Sequence, residues 1–166
     1  MSKCLIIIDV QYGFINKNIK RHYIPKLIKL IKFNNYDYVV ASRFINTVDS
    51  PYHILLHWDK MINEEETAIY KEIMPYLNGV FIKNGNSALT YEMFEFLKTQ
   101  SVDEIFIAGL NTECCVLATA NALFETNMNV KVLAKYCITS GGYKYHRAGL
   151  KVMKRMIGKH NIIYKE

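Results

Sequence analysis

The chain has 166 residues and a formal net charge of +6, with 51% hydrophobic and 22% charged residues. A length of this order suits one domain, residues 1–166, that buries a full core without disulfides or metal. The first apolar run, Cys4–Ile8, stops at Asp9, too short for a signal-peptide core or a membrane span, and Cys4, Cys114, Cys115 and Cys137 form no C-x-x-C, which argues against a disulfide framework or a zinc knuckle.

The expected setting is therefore reducing and cytoplasmic, with no membrane partner. Along the chain, short runs rich in Ile, Val and aromatic residues recur at Cys4–Ile8, Tyr38–Ala41, Val80–Ile82, Ile105–Ala108, Val130–Leu133 and Ile162–Tyr164. Helix-like segments separate them near Pro25–Phe33, Tyr91–Lys98, Glu113–Asn127 and Tyr143–Gly158, with a weaker one around His53–Tyr70. Strands that are apolar throughout and alternate with helices predict an α/β fold with a mainly parallel sheet covered on both faces. The basic cluster Lys144, Arg147, Lys151, Lys154 and Arg155 shares its helix with an apolar face of Val152, Met153, Met156 and Ile157. It reads as a solvated helix face, so no nucleic-acid partner is expected.

In parallel α/β sheets, ligands bind beyond the carboxyl ends of the strands. Three reactive residues fall at such ends: Asp9 after Cys4–Ile8, Lys83 after Val80–Ile82, and Cys115 just past Ile105–Ala108. The stretch Gly109–Thr119 is a strand end, a turn and a helix start. Thr112 is a good N-cap, which would set Cys115 in the first helical turn, where free N–H groups and the dipole favour a thiolate. On this stretch alone, Cys114 and Cys115 read equally well as two small apolar residues. Neither G-x-x-x-x-G-K-[ST] nor G-x-G-x-x-G occurs, so no cofactor is expected.

Three motifs in order carry a family resemblance. Asp9, Gln11 and Phe14 match D-x-Q-x-x-F; Lys83, Ser87, Ala88 and Leu89 match K-x-x-x-S-x-h, where h is apolar; and Gly109 to Val116 match G-h-x-T-[DE]-x-C-V. The chain thereby resembles the isochorismatase-like cysteine hydrolases, which include nicotinamidases and N-carbamoylsarcosine amidase. The resemblance implies a three-layer fold with six strands in the order 3-2-1-4-5-6 and helices on both faces. It also implies a homo-oligomer, dimer or tetramer, and a triad of Asp9, Lys83 and Cys115. In that triad Cys115 is the nucleophile, Asp9 the general base, and Lys83 the positive charge that lowers the thiol pKa and keeps Asp9 ionised. Lys83 and Asp9 would stand on strands two places apart, about 10 Å, a gap that a long side chain closes. A cis Leu110–Asn111 peptide is implied too, aiming the N–H of Asn111, with that of Cys115, at a developing oxyanion.

Departures from the family pattern narrow the reading. Metal-dependent nicotinamidases carry an Asp-x-His pair where this chain has Phe44 and Asn46. His53 and His57 are spaced to share a helix face, without an evident third ligand, so the expectation is no metal. The run Phe44, Asn46, Ser50, Pro51, Leu56, Trp58, Met61 looks like a metal-free subgroup of the superfamily. Phe14, Asn46, Trp58 and Leu110 are expected to wall a substrate pocket; Ser140, Gly141, Gly142 and His146 fall on the last loop at the same sheet edge, with His146 read as structural or capping. The expected activity is hydrolysis of a small carboxamide or ureido-type C–N bond, through a thioester on Cys115 and with no cofactor. The alternatives are a nicotinamidase with an atypical metal site and a non-catalytic binding module that retains the fold.

Overall fold

The computed structural model describes residues 1–164, and the side chains of Lys17 and Asn18 lie outside the description. The elements follow one another as β1 (Lys3–Ile8), α1 (Lys17–Phe33), β2 (Tyr38–Phe44), α2 (Pro51–Ile54), α3 (Glu64–Thr67), β3 (Gly79–Lys83), α4 (Tyr91–Thr99), β4 (Glu104–Leu110), α5 (Leu117–Glu125), β5 (Val130–Ile138), α6 (Tyr143–Met156) and β6 (Ile162–Ile163). The six strands form one sheet in the order β3-β2-β1-β4-β5-β6, and every pairing is parallel.

The strands are apolar throughout because both faces of the sheet are covered. Along β1, Cys4, Ile6 and Ile8 enter the core beneath α4, α5 and α6, while Leu5 and Ile7 enter the core beneath α1. All five are fully buried. Each face thus takes every second residue of the strand, and neither leaves room for a polar one. Gly109, at φ +131, lets β4 pass beside β1: a Cβ there would stand 2.2 Å from the Ile8 carbonyl oxygen.

Several boundaries differ from the sequence expectation, each for a local reason. α1 starts at Lys17 rather than Pro25, because Asn16 caps it through Oδ1, which accepts from the Ile19 N–H at 3.0 Å. Pro25 then sits inside the helix on its exposed side. The weak helix of residues 53–70 resolves into two single turns, α2 and α3, capped by Ser50 and Asn63. The Glu113–Asn127 helix begins instead as a π-turn, Thr112–Val116, that feeds α5. Among the described residues, no helix is long and apolar enough to cross a membrane.

Candidate active site

β1 delivers Asp9 to the carboxyl end of the sheet and turns sharply there, with Asp9 itself at φ 49, a conformation that Asp tolerates better than most residues. The Asp9 N–H donates to Ser42 Oγ at 3.1 Å, and the Ser42 hydroxyl donates to Asp9 Oδ1 at 2.7 Å. Gln11 binds the same corner to its neighbours. Its Nε2 donates to the carbonyls of Phe44 and Thr67, and its Oε1 accepts from the Phe44 N–H. Gln11 is therefore a fully committed structural bridge between the ends of β1 and β2.

Lys83 ends β3, two strands away, and its side chain spans the interval. Nζ lies 2.8 Å from Asp9 Oδ2 and 3.4 Å from Cys115 Sγ, and donates to the carbonyls of Gly85 at 2.8 Å and Asn86 at 3.0 Å. The Phe44 ring centroid is 5.1 Å from the same nitrogen. Asp9, Lys83 and Cys115 are 0, 2 and 8% exposed, so Cys115 is the residue of the three that comes nearest to solvent. Three motifs far apart in the chain thus converge on one point.

Cys115 rides on the π-turn. Thr112 does not cap it: its hydroxyl donates to the Ile138 carbonyl at 3.0 Å and lies 2.8 Å from His146 Nδ1, while Asn111 holds the N-cap position without a side-chain bond to the turn. One hydroxyl proton serves one acceptor, so with that proton on Ile138 the Nδ1 of His146 carries its own and donates to Thr112. The turn is held from below by Thr119, whose hydroxyl donates to the Cys115 carbonyl at 2.7 Å and accepts from the Ala88 N–H. That bond joins the loop after Lys83 to the helix after Cys115. The Leu110–Asn111 peptide is cis. Asn111 Oδ1 accepts from Ser140 N–H and Oγ, which fastens the last loop beside the turn. Cys114, by contrast, is exposed.

The electrostatics correct one expectation. Burial pushes the Cys115 thiol well up, the Asp9 carboxylate adds to this, and Lys83 only partly opposes it. Cys115 is a thiol at rest, not the lowered-pKa thiolate that a helix start and a lysine would give. Burial works against the charge of Lys83, but Asp9 and Cys115 outweigh it and hold the ammonium above its ordinary value. Burial also raises Asp9, with Lys83 and Ser42 working the other way. Lys83 thus stands as an ammonium between the Asp9 carboxyl group, which burial makes more basic, and the Cys115 sulfur.

The expected pocket walls divide. Phe14 and Trp58 stack with ring centroids 6.1 Å apart, and both approach Phe44, at 6.2 and 6.0 Å. Tyr52 joins edge-on to Phe44 at 5.3 Å, and its hydroxyl is raised by burial and then by the nearby Cys115. Asn46 is no wall: at 2% exposed, it spends its amide protons on the carbonyls of Trp58 and Lys60, and its oxygen on Thr47 N–H and Ser50 Oγ. Leu110 is no wall either, being wholly buried in the α1-side core. Asn46 instead braces the segment that presents Tyr52 and Trp58.

His53 and His57 do not share a helix face, because α2 ends at Ile54 and His57 lies beyond it at φ 53. His53 Nδ1 is 2.9 Å from Asp59 Oδ1. Among the described residues, no group of three or more His, Cys, Asp or Glu is placed to hold a metal ion. Sequence reasoning passed over Ser42, Phe44 and Tyr52 as site residues. A hydroxyl inside an otherwise apolar strand was the signal for Ser42, Phe44 was marked only as the residue in a metal ligand's place, and nothing local marked Tyr52.

Solved structures of like architecture include an isochorismatase-like hydrolase from Alkaliphilus metalliredigens, at TM-score 0.83 and 15% identity, covering 98% of this chain and 94% of that one. Yeast nicotinamidase bound to nicotinaldehyde aligns at 0.81 and 18%, covering 98% and 100%. N-carbamoylsarcosine amidase from Thermoplasma acidophilum aligns at 0.75 and 18%, covering 92% and 93%. These likenesses bear on the fold. No curated protein sequence matches the chain. The isochorismatase domain model matches residues 3–160, nearly the whole chain, and with it the protein belongs to the isochorismatase family of hydrolases.

Proposed function

We propose that the protein is a cysteine amidohydrolase that cleaves a small carboxamide or ureido-type C–N bond without a metal. The observation that carries this reading is the single Lys83 ammonium in contact with both Asp9 and Cys115, in a site where Cys115 is the least buried of the three residues. The similarity in fold to a nicotinamidase and an N-carbamoylsarcosine amidase, both of which act on C–N bonds by name, supports it.

The residues divide the work as follows. Asp9, raised by burial, is a stronger base than an exposed carboxylate and takes the Cys115 proton as the sulfur adds to the substrate carbonyl. The tetrahedral oxyanion faces the backbone N–H groups of Asn111 and Cys115. Protonated Asp9 returns the proton to the departing nitrogen, the C–N bond breaks, and ammonia or an amine leaves a thioester on Cys115. Asp9 then removes a proton from water, the hydroxide adds to the thioester, and the C–S bond breaks to give the acid and the free thiol. Lys83 stays protonated throughout and offsets the negative charge as it passes from Asp9 to sulfur. Phe44 and Asn46 offer no metal ligand, one being a hydrocarbon ring and the other a committed brace, so nothing here would grip a pyridine nitrogen as a metal-dependent nicotinamidase does. The half-buried rings of Phe14, Tyr52 and Trp58, backed by Phe44, suit a flat or apolar acyl portion.

Ammonia release from a panel of carboxamides and ureido compounds is the direct assay. Cys115→Ala is expected to lose at least about a thousandfold in kcat/KM, and Cys114→Ala to stay within about threefold of the parent. Loss of turnover in the Cys114 variant alone would overturn the assignment.

A further inference from the structure

A fully buried serine interrupts the apolar residues that β2 carries toward its end. Val39, Val40 and Ala41 precede Ser42, and Phe44 closes the strand; all five are buried. Alternation puts Ser42 on the face of Val40, whose core layer also includes Cys115. A polar atom buried there needs partners, and Ser42 Oγ has two, both on one residue. It accepts from the Asp9 N–H at 3.1 Å and donates to Asp9 Oδ1 at 2.7 Å. The hydroxyl has a single proton, and with the Asp9 N–H aimed at its oxygen that proton is directed at Oδ1. Ser42 is therefore held as a donor, and the two carboxyl oxygens of Asp9 differ. Oδ1 is occupied by Ser42, whereas Oδ2 makes no hydrogen bond among the described residues beyond its 2.8 Å ion pair with Lys83. The same ammonium lies 3.4 Å from Cys115 Sγ, so Oδ2 is the oxygen that shares a neighbour with the sulfur.

We propose that Ser42 is the positioning residue of the general base: by holding Oδ1 it keeps Oδ2 as the oxygen that receives the Cys115 proton. This rests on the reading of Asp9 as the base for Cys115 and adds the atom at which the proton is carried. In the transfer the S–H bond breaks, its electron pair stays on sulfur, and an O–H bond forms at Oδ2. Ser42 gives up no proton. A proton on Oδ1 would instead be set against the Ser42 hydroxyl proton, while one on Oδ2 lies on the side of the sulfur, where the departing nitrogen collects it. The bond from Ser42 also favours the ionised carboxylate, against the burial that works the other way. The other groups that act on this carboxyl are Lys83 from the end of β3, Cys115 from the π-turn and Tyr52 from α2.

The rate at which iodoacetamide alkylates Cys115, followed by peptide mass spectrometry as a function of pH, tests the role and needs no substrate. In the parent the rate is expected to rise as Asp9 ionises and then to level. Ser42→Ala removes one donor to the carboxylate, so Asp9 keeps its proton to higher pH. The acid limb should move up by about one pH unit, with a plateau at least about tenfold lower because the carboxyl group is free to turn. Ser42→Thr keeps the hydroxyl and should return the limb to the parent position. Ser42→Cys, whose S–H is a weak donor, should leave it between the two. The position of a limb, unlike a rate, does not depend on how much of a variant is folded. An acid limb unmoved in Ser42→Ala, or moved equally in all three variants, would overturn the role of Ser42 and leave Asp9 as the base. An acid limb that survives in Asp9→Asn would instead overturn the reading on which this one rests.

Discussion

In the proposed reaction Cys115 keeps its proton until Asp9 removes it, and that base is buried. Because burial lifts Asp9 above the usual carboxylate range, the ionised form needed to accept the thiol proton appears only at higher pH than for an exposed aspartate. The kcat/KM for carboxamide hydrolysis is expected to fall as pH drops through that raised value and to level off above it; an acid limb at the ordinary carboxylate position would remove Asp9 from the role of base. Lys83→Met deprives Asp9 of its counter-ion inside the protein. A buried pair broken on one side costs about 3 to 5 kcal/mol, read as a shift in the urea midpoint near neutral pH. The loss should shrink as pH is lowered, since a protonated Asp9 no longer needs the ammonium. The meeting of Asp9, Lys83 and Cys115 was legible in the sequence because each directly follows an apolar strand or its turn. The thiol's protonation was not, since it depends on how completely the other strands and the aromatic segment shut out water.

At the scale of elements, the chain announces its strands better than its turns. The central strands were found within a few residues because burial on both faces removes polar residues from them, whereas the π-turn under Cys115 has no such mark. Thr112 has the residue type of an N-cap, yet its hydroxyl is drawn to Ile138 and His146, partners about 30 residues downstream that no local pattern reveals. The same holds for Asn46, whose amide seemed free for substrate until the loop from Trp58 to Lys60 folded back onto it. β4 makes its own demand at Gly109. Gly109→Ala places a methyl group against the Ile8 backbone in a conformation that L residues avoid. The expected cost is about 3 kcal/mol or more, visible in thermal unfolding, together with lost turnover because β1 carries Asp9 immediately after Ile8.

The whole molecule follows a topology that its sequence pattern and family motifs had already indicated, and 15 to 18% identity to proteins of like fold shows how loosely that topology holds the residues themselves. The topology also orders events in time. β1 precedes the other strands of the sheet and is one of its two central ones, and β4, the other, lies about a hundred residues further along the chain. At a translation rate of about 5 to 20 residues per second, the Cys4–Ile8 run waits about 5 to 20 seconds for that partner. Ribosome-bound chains stopped before Glu104 should therefore be held by hydrophobic-segment chaperones, and chains released past Leu110 should escape them, a difference that crosslinking at Leu5 would register.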